Sequence, residues 1–232
     1  MLRRVPFKKI ENFRDLGGYQ ASYGETAFGI VYRSGSLSDA TDKDVATLKS
    51  LGIKTVIDLR SDDDKLTKPD KTANDPAFKE LLLPVNGNGR IPKNKRDQIA
   101  SYLEMLTDHE KAKAVFDVLL NSPKPLVIHC SAGKDRTGTF IMILLLANGV
   151  PFHDVNADYL LSFAYLSRLT RISKKDHPEF PKVIFTPDVY FLKKVMEAFD
   201  KIYGTIHHYF EVLGYTPDQI AELEHLLEAK KE

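Results

Sequence analysis

The chain has 232 residues, of which 43% are hydrophobic and 28% charged, with a formal net charge of +1. A chain of this length and composition can bury a sizeable core, so we expect a soluble globular protein. The near-zero charge provides no overall field that attracts nucleic acid or an anionic bilayer, so no nucleic-acid partner is expected. The single cysteine excludes an internal disulfide and a paired zinc–cysteine site. No histidine pattern fits metal ligands, and we predict neither metal nor cofactor.

The N-terminal segment is positively charged but lacks the apolar core of a signal peptide. No run approaches the roughly 20 apolar residues that span a bilayer. We therefore expect a cytoplasmic protein without stable membrane insertion. A secreted chain from which a signal peptide had been removed would show the same pattern, so secretion stays open.

Strands and helices alternate over residues 1–150. Short apolar or β-branched runs predict strands at 28–35, 53–59, 80–85 and 125–130, and the segment 12–19 predicts a strand that ends in a two-glycine turn. Helices are predicted after a Thr41 N-cap with Asp44 at the third helical position, from about 98 to 120 with a break near Asp108, and over 139–149. The stretches 61–76 and 86–96 are predicted as loops.

The pattern becomes helical throughout after residue 150. Helices are predicted at 154–169, 189–204 and 216–231, the last with Thr216 as N-cap and Pro217 in the first turn. The alternation predicts an α/β fold, a mainly parallel sheet flanked by helices, with a C-terminal helical cover or lid. We expect one domain over residues 1–232, with an α/β core to about residue 150 and the helical cover beyond it.

The segment HCSAGKDRTG, residues 129–138, carries the only cysteine, Cys130, between a predicted strand and a predicted helix. Parallel sheets bind ligands at this junction, and the helix N-terminus favours an anion. A cysteine there is expected to have a lowered pKa and to act as a nucleophile. Arg136 can hold a bound phosphate, Gly133 relieves crowding in the loop, and Thr137 can donate a hydrogen bond to the sulfur. A buried structural cysteine is the alternative, but it leaves the surrounding pattern unexplained.

This segment resembles the His-Cys-x5-Arg-Thr-Gly signature of cysteine-dependent phosphatases, and its Gly-Lys-Asp interior is similar to the bacterial atypical tyrosine and dual-specificity phosphatases of the tyrosine-phosphatase superfamily. NFRDLGGY, VYRSGSL, VIDLRS and the C-terminal helical stretches resemble the same family, so the likeness covers nearly the whole chain. The resemblance implies a metal-independent phosphoric monoester hydrolase of the protein tyrosine phosphatase type. It further implies dual specificity, phosphoinositide phosphatase activity, and a phosphorylated protein or phosphoinositide as substrate.

The resemblance also implies roles for individual residues. Cys130 attacks phosphorus and forms a phosphocysteine, while Arg136 and the loop stabilise the transferring group. The substrate-binding residues of that loop are Ser131, Ala132, Gly133 and Lys134. In this family the lysine is associated with phosphoinositides; the alternative is that Lys134 points into solvent.

A general acid must protonate the leaving oxygen, and the chain has no tryptophan for a Trp-Pro-Asp loop. The resemblance puts the acid inside the signature, at Asp135, where a neighbouring anionic phosphate strengthens the hold of a carboxyl group on its proton. Alternatively, Asp135 accepts hydrogen bonds from loop amides and Asp58 serves the site. Asp58 can equally be a buried partner of Arg60. His129 is expected to fix the loop by hydrogen bonding.

Other interpretations of the loop stay open. An anion-binding loop with a cysteine could also serve sulfur transfer, or it could belong to a catalytically silent phosphate-binding module. Arsenate reduction by a cysteine relay would need further thiols, which the chain lacks. Asn12, Arg14 and Asp15 are expected to hold the N-terminal segment through hydrogen bonds to the backbone.

Overall fold

The computed structural model describes residues 2–85, 90–186 and 188–229. Its strands are β1 (Arg14–Asp15), β2 (Gln20–Ala21), β3 (Gly24–Glu25), β4 (Val31–Ser34), β5 (Thr55–Asp58), β6 (Lys79–Leu82) and β7 (Leu126–His129). Five of them form a sheet in the order β1-β4-β7-β5-β6, and β2 and β3 form a separate ribbon. Only the pairing of β1 with β4 is antiparallel within the five-stranded sheet. The predicted mainly parallel sheet is confirmed.

Helices surround this sheet. They are α1 (Asp42–Ser50), α2 (Asp62–Thr67), α3 (Lys95–Thr107), α4 (His109–Asn121), α5 (Asp135–Ala147), α6 (Phe152–Tyr165), α7 (Ser167–Asp176), a 3-10 helix (Lys182–Phe185), α8 (Phe191–Tyr203), α9 (Ile206–Val212) and α10 (Pro217–Glu224). The predicted helical C-terminal region is therefore present. No helix in the described ranges has the length and apolar character needed to cross a membrane.

Local capping explains where several helices begin. Thr41 and Asp44 form the predicted capping box of α1, and Thr216 caps α10 with Pro217 in its first turn. The predicted loop over 61–76 is wrong in part, because a capping box between Ser61 and Asp64 starts α2 there. The other predicted loop includes residues 86–89, which lie outside the described residues.

The sheet is covered on both faces, because alternate strand residues point in opposite directions. Leu126 and Ile128 of β7 belong to the larger apolar cluster, which also contains buried residues of α3 to α6 and of the C-terminal helices. Val127 points to a smaller cluster that contains Leu48 of α1. Helix α5 packs against β7, α3, α6, α9 and α10. The loop between β7 and α5 therefore lies at the carboxyl edge of the sheet, beside the ends of β4 and β5.

Candidate active site

The loop that joins β7 to α5 holds a buried thiol. Cys130 follows β7 directly and is 2% exposed. Burial by itself raises the pKa of the thiol, but the Arg136 guanidinium charge and hydrogen bonds from Thr137 outweigh burial and lower the pKa below its usual value. The buried Thr137 hydroxyl lies close enough to influence the thiol but forms no hydrogen bond of regular geometry within the described residues.

Arg136 closes the loop from the first turn of α5. Its Nη2 donates to Ser131 Oγ at 2.8 Å, and its Nη1 donates to the carbonyl of Leu59 at 3.3 Å. These contacts hold the guanidinium across the mouth of the loop, between Ser131 and the segment that follows β5. A guanidinium has five N–H donors, so this arrangement leaves donors for an oxyanion.

The carbonyl groups of the loop accept hydrogen bonds from neighbouring segments of the protein. Asn12 Nδ2 donates to the carbonyls of Ala132 and Gly133 at 2.9 and 3.0 Å, and Arg33 Nη2 donates to the Gly133 carbonyl at 2.8 Å. The Ser131 carbonyl accepts a backbone N–H from the turn after β4. In a trans peptide the C=O and the N–H point in opposite directions. Anchoring these carbonyls therefore turns the following N–H groups, those of residues 132–134, to the other side of the loop.

Gly133 is the loop position that requires glycine. Its φ is +64°, and a Cβ built on it would lie 2.0 Å from the carbonyl oxygen of Ser34. The backbone of the loop thus lies directly against the end of β4, a contact that any side chain would prevent.

A buried ionic network supports the loop from behind. Asp158 of α6 pairs with Arg14 Nε at 2.7 Å and with Arg33 Nη1 at 2.5 Å, and the Tyr19 hydroxyl donates to the same carboxylate at 2.9 Å. Burial raises the pKa of Asp158, but the two guanidinium groups outweigh burial and lower it well below its usual value. Through Arg33, the network reaches the Gly133 carbonyl.

The three residues expected to hold the N-terminal segment all form hydrogen bonds with backbone groups. Asn12 bonds backbone carbonyls as described above, and Asp15 accepts the backbone N–H groups of Gly17 and Gly29. Arg14 donates to the backbone carbonyls of Asn12 and Asp158 at 3.1 and 2.9 Å, and it also pairs with the Asp158 carboxylate. Sequence reasoning gave no role to Arg33 or Asp158. Arg33 lies in VYRSGSL, and Asp158 lies in one of the C-terminal helical stretches that resemble the family.

Asp135 begins α5 and is held by residues of α3. Tyr102 donates its hydroxyl to Asp135 Oδ1, and Gln98 Nε2 donates to the same oxygen at 3.3 Å. The other carboxylate oxygen, Oδ2, lies 3.6 Å from Lys134 Nζ. The Asp135 side chain is 29% exposed. Sequence reasoning missed Tyr102 and Gln98, which lie in a predicted helix without any motif.

Lys134 is buried, so the alternative that it points into solvent is wrong. Its Nζ donates to the carbonyl of Ile184 at 2.6 Å and lies 4.8 Å from the centre of the Phe163 ring. The ammonium group therefore joins the loop to the 3-10 helix and to α6.

Asp58 and His129 belong to a second buried ionic cluster. Asp58 accepts the Arg60 backbone N–H at 2.9 Å and pairs with the Arg60 guanidinium at 2.8 Å, which is the partnership anticipated from the sequence. His129 Nδ1 lies 3.3 Å from the Cys130 carbonyl oxygen, and its Nε2 lies 3.0 Å from Asp70 Oδ2, out of line for a hydrogen bond. Burial lowers the pKa of His129, but Asp70 and Asp58 outweigh burial and raise it.

The donor atoms of Asp58, Asp70 and His129 lie within 4.8 Å of one another, a spacing that could hold a metal ion. Arg60 pairs with both carboxylates, at 2.8 and 2.9 Å. A cationic side chain of the protein therefore already offsets part of the negative charge of the two carboxylates.

Comparison with known proteins identifies the family. A family model described as the tyrosine phosphatase family matches residues 5–229. The chain belongs to the tyrosine phosphatase family. The phosphatase is accordingly a phosphoric monoester hydrolase, and the family resemblance of its signature loop is confirmed.

Two relatives of this phosphatase cover most of its length. A Cupriavidus necator protein that carries the provisional name of a tyrosine-protein phosphatase is 30% identical over 225 residues, 88% of this chain and 82% of the relative. The triple specificity protein phosphatase PtpB of Mycobacterium tuberculosis is 28% identical over 246 residues, 90% of this chain and 86% of PtpB. The solved structure of TpbA from P. aeruginosa covers 80% of this chain and 87% of TpbA at 16% identity, but its TM-score of 0.38 is too low to equate the two folds.

Proposed function

We propose that the phosphatase hydrolyses phosphotyrosine and related phosphate monoesters through a phosphocysteine intermediate on Cys130. The observation that carries this proposal is a buried thiol with a lowered pKa beside the Arg136 guanidinium. The anchored carbonyls of the loop add N–H groups on the opposite side, where they can bind phosphate oxygens. A site of this kind supplies both the nucleophile and the stabilisation of the transferring group.

In the first step, the Cys130 thiolate attacks phosphorus, and a P–S bond forms as the bond to the leaving oxygen breaks. Asp135 gives its proton to that oxygen, and the alcohol or phenol departs. Arg136 and the N–H groups of the loop bind the equatorial phosphoryl oxygens. Thr137, in contact with the sulfur, stabilises the thiolate as nucleophile and later as leaving group.

In the second step, water attacks phosphorus and the P–S bond breaks. Asp135, now a carboxylate, accepts a proton from the attacking water, and inorganic phosphate forms. The electron pair of the P–S bond returns to Cys130, which is again a thiolate. Asp58 takes no part in this scheme, because its carboxylate is engaged by Arg60.

We propose phosphotyrosine as the main substrate, with phosphoserine, phosphothreonine and phosphoinositides as further substrates. The name of PtpB, a triple specificity phosphatase, supports a range wider than phosphotyrosine. Lys134 adds a positive charge next to the loop, which favours substrates with a second phosphate. In the structure this ammonium is bonded to the Ile184 carbonyl, so a second phosphate must compete with that contact.

The test is a set of variants assayed with an excess of chelator. Cys130→Ser and Arg136→Ala are each expected to lose turnover of p-nitrophenyl phosphate by more than about a hundredfold, while Cys130→Ser still binds vanadate or phosphate. Arg136→Lys is the matched control that keeps the charge but not the planar donor pair. Substrates are a phosphotyrosine peptide, a phosphoserine peptide and vesicles with phosphoinositides.

Turnover like that of the wild type in a folded Cys130→Ser variant would contradict the phosphocysteine scheme. Transfer of sulfur from thiosulfate to cyanide without any phosphate release would favour the sulfur-transfer alternative. Binding of phosphate without turnover of any substrate would indicate a silent module.

A further inference from the structure

We propose that Tyr102 is a positioning residue that orients Asp135 for proton transfer. The proposal rests on the function proposed above, in which Asp135 is the general acid. Tyr102 lies on α3, 33 residues before Asp135 in the chain, and it is fully buried. Its hydroxyl donates to Asp135 Oδ1 and, in the described ranges, makes no hydrogen bond to Arg136 or to residues 130–134.

Two donors from one helix face converge on one carboxylate oxygen. Gln98 precedes Tyr102 by four residues, so the two side chains lie on the same face of α3. Gln98 Nε2 reaches Asp135 Oδ1 at 3.3 Å, alongside the Tyr102 hydroxyl. The oxygen Oδ1 is therefore occupied by two hydrogen bonds. Oδ2, which lies 3.6 Å from Lys134 Nζ, beyond hydrogen-bond distance, is the oxygen that carries and transfers the proton.

The direction of the hydrogen bonds follows from the number of protons. A tyrosine hydroxyl has one proton to donate, and Tyr102 uses it on Asp135. The Tyr159 hydroxyl, 2.9 Å from that of Tyr102, must then donate to Tyr102. Burial is the main cause that raises the pKa of both tyrosines, so both hydroxyls keep their protons at neutral pH. The result is a chain of donors from Tyr159 through Tyr102 to Asp135.

This series of hydrogen bonds matters because Asp135 lies at the partly exposed end of a helix. A carboxylate there can rotate about its side-chain bonds and present either oxygen, or neither, to the leaving group. The buried donors restrict that rotation, because turning Oδ1 away from Tyr102 leaves a buried hydroxyl without its acceptor. The same orientation serves the second step, in which Oδ2 accepts the proton of water.

The experiment compares Tyr102→Phe with Asp135→Asn on a series of substituted phenyl phosphates. The series varies the acidity of the leaving phenol while shape changes little. Protonation matters most for a poor leaving group, so loss of the acid steepens the dependence of kcat/KM on phenol acidity. We expect Tyr102→Phe to reduce kcat/KM about tenfold for phenyl phosphate and less than about threefold for p-nitrophenyl phosphate.

Three further variants separate positioning from a general structural effect. Tyr209→Phe is the matched control, because its buried hydroxyl donates to the Leu106 carbonyl rather than to the site, and it is expected to keep the wild-type slope. The double variant Tyr102→Phe/Asp135→Asn is expected to be no slower than Asp135→Asn alone, because Tyr102 acts through Asp135. Gln98→Met removes the other donor to Oδ1, and it is expected to steepen the dependence of kcat/KM on phenol acidity less than Tyr102→Phe does.

The possible failures are distinguishable. A steep slope for Asp135→Asn together with an equal loss on all phosphates for Tyr102→Phe overturns this inference and leaves the general acid in place. Additive losses in the double variant also overturn it. A wild-type slope for Asp135→Asn instead refutes the acid role in the proposed function, whatever Tyr102→Phe does.

Discussion

Replacement of Asp158 by asparagine tests whether the buried network behind the loop depends on charge. In the wild type, one carboxylate pairs with two guanidinium groups, and the side chains of Arg14, Arg33 and Asp158 are at most 1% exposed. Asparagine keeps the size of the side chain but removes the negative charge. It leaves two buried cations without a carboxylate in contact.

The expected cost follows from this burial. Removing one partner of a buried ion pair costs about 3–5 kcal/mol, because the remaining charge is left uncompensated. For a chain of this size, each kcal/mol lowers Tm by about 2–4 °C, so Asp158→Asn is expected to lower Tm by about 6–20 °C. The Arg33 contact with the Gly133 carbonyl also loses its support, so kcat is expected to fall together with Tm.

The assay is thermal unfolding by circular dichroism at pH 7, repeated in acid. Glu197→Gln is the control, because its pair with Lys194 has a similar length, 2.7 Å, but both side chains are about half exposed. It is expected to leave Tm unchanged within error. Since the folded-state pKa of Asp158 is lowered, its stabilisation is complete at pH 7 and is lost as the pH falls below the ordinary value of 3.8. A fall in Tm of less than about 3 °C for Asp158→Asn would refute the charge argument.

Three further predictions concern the loop itself. Gly133→Ala is expected to abolish activity and to destabilise the fold by more than the roughly 1–2 kcal/mol that a left-handed alanine costs, because its Cβ would meet the Ser34 carbonyl. Gly214 is the control, because its φ is +84° with open space around it, so Gly214→Ala should show only the backbone strain. Equal unfolding free energies of the two variants would contradict the close approach of Gly133 to the Ser34 carbonyl. The rate of Cys130 alkylation by iodoacetamide is expected to rise with pH with a midpoint below the ordinary thiol pKa of 9.0, and Arg136→Ala should move that midpoint upward. An unchanged midpoint would show that the guanidinium does not lower the thiol pKa. Peroxide is expected to inactivate the enzyme reversibly, so that dithiothreitol restores activity. Intact mass should show no internal disulfide, since Cys130 is the only cysteine. Saturating phosphate should slow the oxidation, and no effect of phosphate would argue against an anion site at the sulfur.

The sequence by itself determined the features whose determinants are close together along the chain. The loop from Cys130 to Arg136 is one such feature, because a strand, a tight turn and a helix N-terminus follow one another directly. Capping boxes such as that of Thr41 and Asp44 are another, since their partners are three residues apart. Helix α2 escaped prediction because it is six residues long with no buried residue, and so has no apolar period.

Only the tertiary structure decided which distant side chains support this loop. Tyr102 reaches Asp135 across 33 residues, and Arg14 reaches Asp158 across 144. Such contacts depend on how helices pack against the sheet, and no local pattern of residue types encodes the distance between two atoms on separate elements. The orientation of Lys134 has the same origin, because the Ile184 carbonyl that binds its ammonium group lies 50 residues further along the chain.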